Sequence, residues 1–279
     1  MDKFKIFMTI MLIAIFIHPS LAQESYKLEY KFEKGKTYRY KDVTSVSMTQ
    51  EMMGREMKMR NESNTVVRLV VDDVTKDKNI VLMMSADSAS LFSSSPRGDT
   101  TIYLKELIGK RTKVTISNFG KITNRETIDT VEIGGGRLAS AAQREALKFP
   151  ILSDKLVKVG ESWTASTFDT VNQMGGKIVV TSDVVYQVIG KEKKNGTDCL
   201  KMTFTGKSTT EGKGVVQGME FFIDGSGKVN GTLYFDMKAG LVIEEESNTD
   251  SETNMATTGE QQMIIPITQT TKSVRTLIK

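Results

Sequence analysis

The stretch Lys158-Val159-Gly160-Glu161-Ser162-Trp163 echoes Glu33-Lys34-Gly35-Lys36-Thr37-Tyr38. In both, a turn glycine is followed three residues later by an aromatic that opens a run of alternating apolar and polar residues. The echo continues in order. Met174-Gly175-Gly176 answers Met53-Gly54, and Val184, Tyr186 and Val188 answer Val67, Leu69 and Val71. The turn Lys193-Lys194-Asn195-Gly196 answers Lys76-Asp77-Lys78-Asn79, and Leu200, Met202 and Phe204 answer Ile80, Leu82 and Met84. Asp236 to Val242 answers Ser117 to Ile122. A period of roughly 120 to 125 residues held over several anchors predicts an internal duplication.

The repeated unit is written in period two. Tyr26, Leu28, Tyr30 and Phe32 alternate with charged residues, and Tyr38, Tyr40, Thr44, Val46 and Met48 share one face of a longer run. Period-two alternation predicts half-buried strands. The arms on either side of Met53-Gly54-Arg55 run far beyond the usual five or six residues of a strand, which predicts a strongly twisted or curved sheet. Residues 91–101 read as a loop, and Ile102 to Ile108 as a short helix or an edge strand. Gly134-Gly135-Gly136 interrupts the pattern, and the Ala- and Leu-rich run Arg137 to Lys148, ended by Pro150, predicts one short helix. Pro266 demotes the last strand to an edge or a bulge. The expected fold is mainly β: an internally duplicated antiparallel sheet, curved as a half-barrel or folded as a sandwich, with one short helix between the copies. Its expected divisions are a leader over 1–22, a first β repeat over 23–133, a Gly hinge and helix over 134–150, and a second β repeat with an added C-terminal hairpin over 151–279.

The leader is expected from Lys3 and Lys5, the apolar run Phe7 to Ile17, and the small-x-small site Ser20-Leu21-Ala22, with cleavage before Gln23. It predicts export to a periplasmic or extracellular compartment. No later stretch has the length and apolarity of a membrane helix, so no transmembrane segment is expected in the mature chain.

Composition removes several chemistries. The single histidine, His18, lies in the leader, so a processed chain has no His-based triad, no His general base and no His metal ligand. The single cysteine, Cys199, excludes an intramolecular disulfide and sits in a strand-like run that predicts an inert buried thiol. The formal net charge of +4 is spread among interspersed acids and bases, which argues against nucleic acid as a partner. Asp72-Asp73 and Glu244-Glu245-Glu246 read as solvated strand faces, and Asp224-Gly225-Ser226-Gly227-Lys228 as a Gly-rich hairpin turn rather than a calcium loop. No cofactor, no metal and no enzymatic activity are expected.

Methionine is the remaining signal. Met48, Met52, Met53, Met57 and Met59 crowd one hairpin tip, Met174 sits at the matching tip, and Met255 and Met263 flank the added hairpin. Loop tips normally carry Gly, Asn and Asp. Flexible thioethers there suit either an adaptable apolar rim or tips folded onto their own core. The expected ligand-binding residues are Met52, Met53, Met174 and Met255, with Tyr38 and Trp163, which also read as core anchors at strand starts.

Tyr30-Lys-Phe-Glu-Lys-Gly-Lys-Thr-Tyr38, Phe149-Pro-Ile-Leu and Val157-Lys-Val-Gly-Glu-Ser-Trp163 resemble an uncharacterised family of exported bacterial β-rich proteins. More loosely, a leader, long antiparallel strands, a short helix and the hairpin of Phe235, Asp236 and Gly240 are similar to periplasmic lipoprotein and lipid carriers of the half-barrel type. That resemblance implies an acyl chain held in a concave sheet face. The expected function is an exported, non-enzymatic protein that binds an apolar ligand such as a lipid or acyl chain, with a lipid or lipoprotein ligand as partner. The alternative is a structural or interaction module of the cell envelope with a protein partner and no small ligand.

Overall fold

The computed structural model describes residues 24–52, 54–96, 98–130, 148–173, 176–216, 219–257 and 262–278. Fourteen strands are present among them: β1 (Ser25–Tyr26), β2 (Thr37–Met52), β3 (Arg55–Val74), β4 (Ile80–Ser95), β5 (Gly98–Tyr103), β6 (Thr112–Ile116), β7 (Ile122–Thr127), β8 (Val157–Lys158), β9 (Ser162–Gln173), β10 (Gly176–Lys194), β11 (Thr197–Val216), β12 (Met219–Asp236), β13 (Leu241–Thr257) and β14 (Ile264–Ile278). A single 3-10 turn, Lys105–Leu107, follows β5.

Strands β1 and β8 pair with each other, and the other twelve form one antiparallel sheet. Its order is β7-β6-β4-β3-β2-β14-β13-β12-β11-β10-β9, with β5 beside the outer end of β4. Among the described residues no ladder joins β9 to the far end, so the sheet is open. The architecture is a single sheet rather than two packed ones, which corrects the sandwich alternative. The short helix expected over 137–148 lies outside the described residues, except for Lys148, which is not helical.

The first and second halves carry the same devices at matching places. Gly35 and Gly160 both have positive φ, +80° and +87°. Gly35 N–H donates to the Val71 carbonyl and Val71 N–H to that of Lys36; Gly160 N–H donates to Val188 and Val188 N–H to Glu161. Register shifts follow at once, between Val71 and Asp73 in one half and between Val188 and Gly190 in the other. A second pair of shifts, at Thr115/Ile116 and Tyr234/Phe235, precedes the turns closed by Gly120 and Gly240, with φ of +88° and +66°.

One apolar cluster fixes the curvature. It joins Val114 on β6 and Leu82 on β4 to Val188 on β10 and Ala165 on β9. Ten adjacent strands laid flat would span roughly 40 Å at the usual spacing. Their ends share one core only because the twisted sheet curls round on itself. The chain between β1 and β2 fills the curl. Tyr26, Leu28, Tyr30 and Phe32 alternate inward and are 0–7% exposed. Only Ser25 and Tyr26 of this run join a ladder, because the run lies inside the sheet rather than at its edge. Its backbone is held by the two matching turns: Tyr30 N–H donates to Asn118 O at 2.7 Å, and Lys31 N–H to Gly240 O at 3.1 Å. Phe149 to Leu152 packs beside it, with Tyr30 Oη donating to Pro150 O at 3.0 Å.

The apolar cluster occupies only the base of the sheet. Above it the chain turns polar: Thr205 to Gly214 of β11 and Glu244 to Asn254 of β13 contain no apolar side chain on either face. The sheet continues there as a single layer. Two expectations fail in this region. Residues 91–101 are not a loop, since β4 runs to Ser95 and returns as β5. Asp224 to Lys228 is not a turn but the middle of β12. Its glycines serve the curl: a Cβ on Gly225 would meet Thr253 Oγ1 at 2.7 Å, and one on Gly227 would meet Ser208 Oγ at 2.7 Å.

Candidate functional site

The sheet's apolar base holds a small cavity among Tyr30, Tyr40, Val67, Leu69, Phe149, Pro150, Val242 and Arg275. Its volume is about 20 Å³, room for one water molecule and far below that of an acyl chain. The expectation of a lipid-lined concave face is corrected by this filling. The N-terminal segment and Phe149 to Leu152 place their own aromatic rings where a lipid would lie. Tyr30 packs edge-on against Phe149 and Phe235, with centroids 6.0 and 5.8 Å apart. The lipid or lipoprotein ligand falls with that expectation.

The large concavity lies higher, in the polar layer. It is a trough of about 790 Å³ that spans six adjacent strands from β4 to β12. Strand alternation divides its lining between the two faces of the sheet: Met48, Met59, Ser95, Ser251 and Gln269 share the face that carries the core, while Ser47, Thr49, Ser94, Ser226, Thr268 and Thr270 lie on the opposite one. Lys58, Arg60, Lys228, Asp250 and Glu252 lie on that opposite, exposed face with them. Thr270 Oγ1 donates to Asp250 Oδ1 at 2.7 Å, which fixes that carboxylate. Apolar contact comes from Met48 and Met59, directly opposite each other on β2 and β3.

At the boundary between core and trough lies a row of charge. Asp42, Arg275 and Glu245 are direct cross-strand neighbours on β2, β14 and β13. Arg275 donates from Nε to Asp42 Oδ1 at 2.7 Å and from Nη2 to Oδ2 at 3.1 Å, and its Nη1 donates to the Lys148 carbonyl. Burial pulls the Arg275 pKa down, but the carboxylates of Asp42 and Glu245 outweigh it and raise the pKa. Burial pushes the nearby Tyr40 hydroxyl up. The row is an ion-paired lid over the core.

The sequence-predicted residues fall in different places. Tyr38 packs against the apolar cluster, edge-on to Phe32 at 5.0 Å. Trp163 stacks on Tyr186 at 5.3 Å and donates from Nε1 to Ile151 O at 2.9 Å. Both serve as core anchors, and neither lines the trough. Met255 is half-buried on β13 between Ile223 and Ile265. Met52 ends β2, while Met53 and Met174 lie outside the described residues. The trough-lining hydroxyls were missed because single Ser and Thr residues carry no signal until neighbouring strands align them.

The acidic runs are also redistributed. Glu244 is 8% exposed rather than solvated. Lys194 pairs with it, and Asn195 Nδ2 donates to it at 3.4 Å. Burial pushes its carboxyl up, but Lys194, Glu246 and Asn195 together hold it below the usual carboxylate range. Asp73 pairs with Lys34 at 2.8 Å, and Asp72 with Lys113 at 3.7 Å. Among the described residues no group of His, Cys, Asp and Glu side chains is placed to hold a metal.

No protein-family model and no curated protein matches this chain. Among solved structures, it is similar to the COG4313 outer membrane channel from Pseudomonas putida F1, at 10% identity over 94% of this chain and 100% of that one, with a TM-score of 0.27. It is also similar to Pseudomonas aeruginosa OccK2 (OpdF) in complex with glucuronate, at 5% identity over 89% of this chain and 100% of that one, with a TM-score of 0.25. OccK2 (OpdF) without that ligand stands at 6%, 88%, 99% and 0.25. The first of these is an outer membrane channel rather than a lipid carrier, and likeness of this degree transfers no activity. The expectation of no transmembrane segment is corrected as well. It rested on apolar stretches of helix length, and although no described helix is long and apolar enough to cross a membrane, that criterion does not reach strands. Strands β3 and β11, of 20 residues each, are longer than the roughly 9–11 residues that cross a bilayer.

Proposed function

We propose that this is an exported, non-enzymatic protein of the cell envelope that binds a hydrophilic, hydroxyl-bearing ligand of the oligosaccharide class along the trough. The fold it uses is a half-barrel of two duplicated β repeats, residues 23–133 and 151–279. The observation that carries the reading is the trough itself, about 790 Å³, with Ser95, Ser251 and Gln269 beside Met48 and Met59 on its inner face. Ligand sites commonly enclose about 300–1,000 Å³. Hydroxyl and amide groups on both partners can exchange hydrogen bonds, while Met48 and Met59 offer adaptable apolar contact to the C–H faces of a sugar ring.

A binding role suits the carboxylates better than hydrolysis. Asp250 and Glu252 stand two residues apart on one strand, roughly 7 Å, and both lie on the sheet face opposite Ser251. A glycosidase needs its acid and its base on opposite sides of the scissile bond. An open, wet site without an aromatic platform binds weakly, with a dissociation constant of about micromolar to millimolar.

The test is calorimetric titration of the mature protein with a panel of neutral and acidic oligosaccharides, together with the Ser251→Tyr variant, which fills the trough. Saturable binding that Ser251→Tyr abolishes supports the proposal. Absence of binding across the panel, or a stoichiometric lipid extracted from the purified protein, overturns it.

A further inference from the structure

The two ends of the open sheet are built differently. At one end β7 and β5 are six residues each. β7 carries Arg125 and Glu126, and β5 begins with Gly98-Asp99. Short, charged edge strands are the usual protection against pairing with another chain. At the other end β9 runs for 12 residues, Ser-Trp-Thr-Ala-Ser-Thr-Phe-Asp-Thr-Val-Asn-Gln. It has no Lys, Arg, Pro or Gly, and its pairing with β10 runs without a bulge from Gln173 to Ser162. Asp169 is its one charged residue. Among the described residues no strand pairs with its outer side. At its middle Phe168 is 72% exposed, on the face opposite the buried Ala165.

We propose that a second copy of this chain pairs along β9, antiparallel and about a two-fold axis at Phe168, so that two sheets become one. Antiparallel self-pairing centred there sets Phe168 against its own mate and Ser166 against Thr170. It aligns the whole span from Trp163 to Gln173 with itself. Asp169 then faces Thr167 of the other copy, so no like charges oppose each other. A two-fold contact of this kind is closed, because each subunit offers one such edge. The main-chain groups supply the affinity, and the phenyl pair, brought within cross-strand contact, sets the register.

Cysteine scanning reads this directly, since the natural Cys199 is buried and silent. Sedimentation of the full mature chain over a concentration series should show a monomer–dimer equilibrium. Phe168→Lys, which opposes two ammonium groups at an exposed site, should raise the dimer dissociation constant by roughly tenfold or more. Phe168→Cys should oxidise to a covalent dimer, while Tyr103→Cys on the opposite edge, where Tyr103 is 69% exposed, should not. A monomer at every concentration, or equal cross-linking at both edges, overturns the proposal. So does a chain that dimerises only after residues 131–147 are deleted, because its own segment would then occupy the edge.

Discussion

Arg275 forks onto Asp42 with two hydrogen bonds, 2.7 and 3.1 Å, between strands that stand 233 residues apart in the chain. This contact ties the last strand of the second half to the first strand of the first. It lies across the ladder of β14 with β2, two strands that the chain joins by no hairpin.

Removing one partner should therefore cost more than a surface ion pair is worth. Asp42→Asn leaves a largely buried guanidinium with Glu245 alone to balance it. Urea denaturation should show a loss of about 3 kcal/mol. Replacing both residues, as Asp42→Asn with Arg275→Met, should recover part of that loss, because no charge is then stranded. Additive losses in the double variant would refute the pairing.

The positive-φ glycines should rank by what surrounds them. Gly35→Ala meets no atom within 4 Å and carries only the left-handed backbone penalty, about 1–2 kcal/mol. Gly240→Ala carries the same penalty and also drives a Cβ to 2.5 Å from Lys31 N, where the N-terminal segment is held. It should lower the thermal midpoint further than Gly35→Ala does, and it should expose the 26–32 segment to proteolysis. Equal midpoints would mean that this segment is not docked on the turn.

Cys199 should be silent to thiol reagents in the folded protein. Burial pushes its pKa up to about 11. An acid whose folded pKa is raised stabilises the fold at lower pH and loses that contribution as pH climbs from the unfolded value, about 8.5, towards 11. Labelling with a chromogenic disulfide at pH 8 should be slow in buffer and rapid in urea. A fast native reaction would place the thiol at the surface.

Long antiparallel strands were legible in the sequence, as were the turns at Gly35, Gly120, Gly160 and Gly240, whereas Asp224 to Lys228 was misread as one. Alternation and turn glycines are local: the residues from Thr37 to Val74, and again from Ser162 to Lys194, carry the hairpin pattern without outside help. The matching of Gly35 with Gly160, and of the turns at Gly120 and Gly240, was legible for the same reason. What fills the curl depends on contacts between distant parts of the chain. Tyr26 to Phe32 has the period of a strand and was read as one, yet it lies within the sheet as its core. Period two records which side chains face apolar surroundings, not whether a neighbour supplies backbone hydrogen bonds. The site was likewise invisible beforehand. Met48, Met59, Gln269 and Ser251 come from four strands, and they share one face only because the register of those strands sets them side by side.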